Sequence, residues 1–161
     1  MPQAKLKEVL TGPQGAKYGT LVKLAIPGDD ETVLRFAIEL LDELKNKPIY
    51  RRDMVVVRPY TEKARIEPMS ASTFRTFVDK NVAVFKQKYD EKGEPFDVIR
   101  TINKETAQGV MDCDDFWIGL REIVSVNPVP MPVIETDGGS VKLLTPGYDE
   151  VTKTLTFGWA A

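Results

Sequence analysis

Histidine is absent from this 161-residue chain. That removes every catalytic scheme that moves a proton through an imidazole near neutral pH, and every zinc site built on imidazole nitrogens. Cysteine is almost as scarce: Cys113 is the only one. No intrachain disulfide can form, and the sequence reads as a reduced, intracellular protein or as one that needs no disulfide staples. Asp112, Asp114 and Asp115 beside Cys113 disfavour a thiolate, so the residue reads as structural rather than reactive. No window approaches the ~18 apolar residues that a membrane-crossing helix requires. The start, Met1-Pro2-Gln3-Ala4-Lys5, has no signal-peptide run behind it. The expectation is a cytoplasmic protein without membrane contact.

Nucleotide-binding patterns are missing too. The stretch Gly12-Pro13-Gln14-Gly15-Ala16-Lys17 lacks P-loop spacing, and no GxGxxG occurs. Asp112, Asp114 and Asp115 offer carboxylates to a divalent cation, but three acids at a helix boundary read as caps and solvated surface, and no second cluster completes a two-metal site. No cofactor, metal or catalytic residue is assigned, and an independent enzyme is disfavoured.

What remains is an ordinary core-forming composition, 42% hydrophobic and 29% charged, in a length suited to one domain. Residues 1–28 read as an N-terminal arm with a short strand at Thr20–Ile26, and 29–161 as a folded module. Asp29 and Asp30 are candidate caps for a helix whose apolar lines are Val33, Ala37, Leu40, Leu44 and Leu34, Ile38, Leu41; Pro48 stops it. Ile49–Pro59 reads as a β-branched strand, returning through Ala64–Pro68 as a hairpin. Ser70 or Ser72 caps a second helix that places Phe74, Phe77, Val78, Val82 and Phe85 on one face and runs to about Tyr89. Phe96–Arg100 is extended, and Asn103 opens a third helix to about Met111. Short strands follow, with a hairpin turn at Asp137-Gly138-Gly139 and another turn at Pro146-Gly147-Tyr148-Asp149. The fold class is α+β: a single domain with two to three helices, a basic β-hairpin and a β-rich C-terminal half.

Charge is unevenly placed. Net charge is −2, yet Tyr50–Lys88 holds nine cations against four acids, a local +5. A hairpin-and-helix surface of that sign suits phosphates, and Tyr50 and Tyr60 are placed to stack on bases. The residues singled out for nucleic-acid contact are Arg51, Arg52, Arg58, Lys63, Arg65, Arg75 and, on the later turn, Tyr148.

The run Ile123–Ile134, then Asp137-Gly138, then Pro146-Gly147-Tyr148-Asp149, resembles a signature of phage and plasmid primase–helicase replication proteins, in which a P-(V/T)-(L/I)…DG…PGYD segment follows a Y-x-R strand and a short helical region. Tyr50-Arg51-Arg52 with Val55–Arg58, and the helix from Phe74, look like the upstream half of that module. Two departures stand out: Lys153 occupies the glycine position of PGYD-x-x-T-G-L, and Asp53 replaces a glycine of the arginine strand. The ATP-driven motor of those proteins lies outside this sequence. The resemblance implies a non-catalytic accessory module of mobile genetic elements that helps a replication helicase or primase protein engage DNA or assemble around it. Together with the basic segment, the expected partner is DNA, single-stranded rather than duplex. The alternative is a protein-interaction or oligomerisation module without DNA contact, built on the apolar helix near Leu40 and the PGYD loop.

Overall fold

The computed structural model describes residues 21–128 and 146–158, together with the backbone of 131–134 and 141–144. The turn anticipated at Asp137-Gly138-Gly139 and most of the N-terminal arm lie outside the described residues. The fold class is α+β.

Along the chain, β1 (Val22–Ala25) leads to α1 (Leu34–Leu44). Then come β2 (Tyr50–Arg52), β3 (Val55–Tyr60), a single 3-10 turn over Thr61–Lys63, and β4 (Arg65–Pro68). Next are α2 (Ala71–Asn81), β5 (Val82–Tyr89), β6 (Pro95–Ile99), α3 (Lys104–Met111) and the short α4 (Asp114–Trp117). The last strands are β7 (Ser125–Asn127), β8 (Met131–Ile134), β9 (Val141–Leu144), β10 (Gly147–Asp149) and β11 (Thr154–Thr156). Among the described residues no helix is long and apolar enough to cross a membrane.

These elements form two compact units, each assembled from two separate stretches of chain: 1–46 with 69–119, and 47–68 with 120–161.

The first unit has a three-stranded sheet in the order β1-β5-β6, with β5 parallel to β1 and antiparallel to β6. Its interior includes Leu24, Phe36, Leu40, Phe74, Val78, Val84 and Phe116, and the Phe74 and Phe116 rings meet edge to face at 5.5 Å. Two helix starts are where the sequence puts them. Ser70 Oγ accepts from Thr73 N at 3.1 Å, and Asn103 Oδ1 accepts from Thr106 N at 2.7 Å. Asp114 and Asp115 lie in the first turn of α4, where the helix dipole favours acids.

Two readings in this unit need correction. Asp29 and Asp30 do not cap α1: they lie in a turn, and the helix begins at Leu34 with Val33 at the cap position and no side-chain cap. Glu31 instead pairs with Arg35 at 2.8 Å, and Arg35 also reaches Glu39 at 2.6 Å and the Ala25 carbonyl at 2.8 Å. The second helix does not reach Tyr89. It ends at Asn81, and Val82 is already extended (φ −141°, ψ 155°). Val82, Ala83, Val84 and Phe85 are all buried, and the first three pair with Val22, Lys23 and Leu24. A strand covered on both faces shows a continuous apolar run, and over so short a stretch that run also satisfies helical spacing.

The second unit is built from two three-stranded sheets, ordered β2-β3-β4 and β10-β11-β7. A parallel bridge between Arg51 and Glu122 joins them: Arg51 N donates to Arg121 O at 3.0 Å, and Ile123 N to Arg51 O at 2.8 Å. The segment entering β7 thus pairs first with β2 and then with β11. The sheets enclose Tyr50, Val57, Ile123, Leu155 and Phe157, with Ala64, Ile66, Val126 and Tyr148 packed at the margin. The backbones of β8 and β9 pair antiparallel, Met131 opposite Leu144.

Turns in this unit differ from their sequence reading. Ile49–Pro59 is two strands, not one, broken at Asp53-Met54 with Arg52 opposite Val55. Asp53 has φ +57°, so the positive angle falls at the first central position, where a II′ hairpin turn favours glycine. The PGYD stretch is not a tight turn either. Gly147–Asp149 forms β10, and Gly147 has φ +124°. The reversal follows at residues 150–153 and closes on Lys153 at φ +52°. Asp149 Oδ1 accepts from Val151 N at 3.0 Å and helps to fix that loop. Asp53 and Lys153 therefore both hold a backbone angle that glycine adopts without strain.

Candidate nucleic-acid interface

Alternation along strands sorts the hairpin cations. Tyr50, Val57 and Ile66 point into the core of the second unit. Register then puts Arg51 and Val56, Arg58 and Glu67, and Tyr60 and Arg65 on the opposite face of the β2-β3-β4 sheet. Three arginines and one tyrosine share that face because they sit at alternate positions of paired strands. Arg52 has the other parity and is exposed at the end of β2, and Lys63 is exposed on the 3-10 turn.

The three arginines are in different electrostatic states. Arg51 donates to Glu122 Oε2 at 3.2 Å and to the Asp53 carbonyl at 3.1 Å. Glu122 also holds Lys153 Nζ at 3.1 Å, and the Lys153 hydrogen bond, followed by the charge of Arg51, keeps its carboxyl below the usual carboxylate range. Arg65 pairs with Glu67 on its own strand, Nη2 to Oε1 at 2.5 Å. Arg58 is the exception. Its cross-strand partner Glu67 is engaged by Arg65, and its guanidinium lies over the Tyr60 ring, 4.1 Å from the centroid. Among the described residues it makes no ion pair and no side-chain hydrogen bond. A planar cation held on an aromatic face, with no acceptor for its N–H donors among the described residues, is preorganised for a phosphate oxygen.

Two residues named from sequence do not join this group. Arg75 is on α2, in the first unit, and its Nε donates to the Ile102 carbonyl at 2.6 Å. Tyr148 is anchored in the second unit. Its hydroxyl donates to the Glu122 carbonyl at 2.5 Å, its ring meets that of Tyr50 at 5.4 Å, and burial raises its phenol pKa. Arg121, which sequence reasoning passed over, lies 4.3 Å from the Tyr50 ring centroid and 5.4 Å from that of Tyr148, and donates to the Lys47 carbonyl at 2.6 Å. Tyr148 thus fixes β10 to the core. Nor does the +5 segment form one body: Arg75, Lys80, Lys86 and Lys88 belong to the first unit, the hairpin cations to the second.

The first unit carries a cavity of about 900 Å³ beyond the end of β1. Lys86 and Arg100 line it, but so do Asp29, Glu31 and Glu105, so its charge has no single sign. Among the described residues no group of three or more metal-ligating side chains is clustered. No protein-family model, no curated protein and no solved structure matches this chain.

Proposed function

We propose that the chain is a non-catalytic accessory module for DNA replication, of phage or plasmid type, that works in the cytoplasm beside a replication helicase or primase protein and contacts DNA through the β2-β3-β4 sheet. The observation that carries this reading is Arg58, a half-buried guanidinium stacked on Tyr60 and matched by no acid among the described residues. Arg52 and Lys63 are exposed close by in sequence, and Arg65 is exposed enough to exchange Glu67 for a phosphate at small cost. The left-handed angles at Asp53 and Lys153 add support, since they fall where the replication-protein pattern has glycine.

The test is DNA binding by fluorescence anisotropy across a salt series. Three to four phosphate contacts give a slope of log K against log salt of about −3, or roughly a 50-fold loss between about 50 and about 200 mM salt. Replacing Arg52, Arg58 and Lys63 together by alanine should flatten the slope by about 3, leaving little salt dependence. Absence of binding at low salt, or binding indifferent to salt, refutes the proposal.

One observation favours the interaction-module alternative: Leu34 and Ile38, on one face of α1, are 43% and 49% exposed. Light scattering at micromolar concentration decides that point, because a monomer counts against self-assembly.

A further inference from the structure

We infer that the β3–β4 ribbon takes a single strand of DNA in preference to a duplex, with the Arg58–Tyr60 pair as the platform on which an unstacked base lies. This rests on the DNA-contact reading above and assigns the form of nucleic acid that the same site accepts.

The two forms present different chemistry to a flat cation–aromatic pair. In a duplex the base faces are already stacked, leaving phosphates and groove edges for a ribbon of this size. A single strand offers free base faces, which stack on aromatic rings and guanidinium planes with little regard to sequence. Arg58 lies 4.1 Å from the Tyr60 ring centroid and carries no second ring among the described residues, so a base can add to the stack. Tyr50, the other aromatic of the β2-β3-β4 sheet, is only 6% exposed, with Tyr148 and Arg121 against its ring. The platform is therefore a single one, at Tyr60. Cations for the adjoining phosphates flank it: Arg65 is the cross-strand neighbour of Tyr60, and Lys63 follows in the 3-10 turn. Side chains directly opposite on paired strands have Cβ atoms about 5 Å apart, so aromatic and cation reach the same nucleotide.

The experiment measures anisotropy with a labelled oligothymidine and with a mixed-sequence duplex of equal length, at one low salt concentration. Wild-type protein, Tyr60→Ala, Tyr60→Phe and Arg58→Lys are compared, each checked for a native circular dichroism spectrum. Arg58→Lys keeps the charge and removes the plane; Tyr60→Phe keeps the ring. Expected are tighter wild-type binding to the single strand, a loss of about tenfold in single-strand affinity for Tyr60→Ala and Arg58→Lys, near-native affinity for Tyr60→Phe, and little change toward duplex. Equal or tighter duplex binding, or single-strand affinity unmoved in both Tyr60→Ala and Arg58→Lys, overturns this inference while the DNA-contact reading stands. Binding to neither probe overturns both.

Discussion

Replacing Lys153 by glycine should leave the protein more stable than replacing it by alanine, the reverse of the order at an ordinary position. Lys153 closes the β10–β11 loop at φ +52°, and its carbonyl accepts from Val124 N at 2.8 Å, so the backbone there is tied to its neighbours. Holding an L-residue in this region costs roughly 1–2 kcal/mol. Glycine avoids that cost but loses roughly 0.5–1 kcal/mol through its freer unfolded chain. Both variants forfeit the same half-exposed ion pair to Glu122, so that loss cancels in the comparison. The glycine variant should come out ahead by about 0.5–1 kcal/mol. With a urea m-value of about 2 kcal/mol/M, the unfolding midpoints should differ by about 0.3–0.5 M, read by intrinsic fluorescence. A glycine variant that unfolds at lower urea than the alanine variant refutes a left-handed Lys153. Asp53 provides an independent case. Aspartate tolerates positive φ better than most residues, so Asp53→Gly should be close to neutral and Asp53→Ala should cost about 1 kcal/mol.

Other consequences follow from single contacts. Tyr148→Phe removes the hydroxyl that donates to the Glu122 carbonyl and should cost about 1 kcal/mol in urea unfolding, with DNA affinity unchanged; a fall in affinity at native stability would return Tyr148 to the interface. Ser70→Ala removes the cap of α2 and should lower stability by about 1 kcal/mol, whereas Ser72→Ala should change it little; equal effects would contradict the assigned cap. Glu122 has a carboxyl pKa held down in the folded state, chiefly by its Lys153 hydrogen bond, so its stabilising contribution is complete above about pH 5 and disappears as pH falls through the lowered folded value. Urea midpoints measured from about pH 6 to about pH 3 should therefore fall less steeply for Glu122→Gln than for wild type, and parallel slopes would contradict the coupling.

Features fixed by neighbours a few residues away were readable from the chain. The caps at Ser70 and Asn103 are of that kind, since a side chain reaching two or three residues forward needs no information from elsewhere. The β3–β4 hairpin was visible for the same reason, through its β-branched run and polar turn. What escaped depends on distant partners. Val82–Phe85 satisfies helical and strand periods alike, and pairing with Val22–Ala25, about 60 residues earlier, decides for the strand. The break at Asp53-Met54 lacks the asparagine–glycine or aspartate–glycine signal that normally marks a two-residue turn, so one long strand looked sufficient. The candidate site was least legible, because charge per length of sequence says nothing about strand parity or about which acid sits opposite. Arg51 meets Glu122 across 71 positions, and Arg75 belongs to another unit altogether. Glu122 and Arg121 carry no local signal and become visible only through the bridge to Arg51.

The two compact units share the chain by interruption: residues 47–68 leave the first unit before it is complete, and the second waits for everything after 119. Emerging from a ribosome, the first unit has its full set of strands and helices once Gly119 is free. The β2–β4 ribbon is by then already made, with Tyr50 and Val57 still lacking Ile123, Leu155 and Phe157 to cover them. Ile123 follows within a few residues, but Leu155 and Phe157 emerge much later, so a truncation that clips them leaves a sticky, half-dressed ribbon attached to an otherwise finished neighbour.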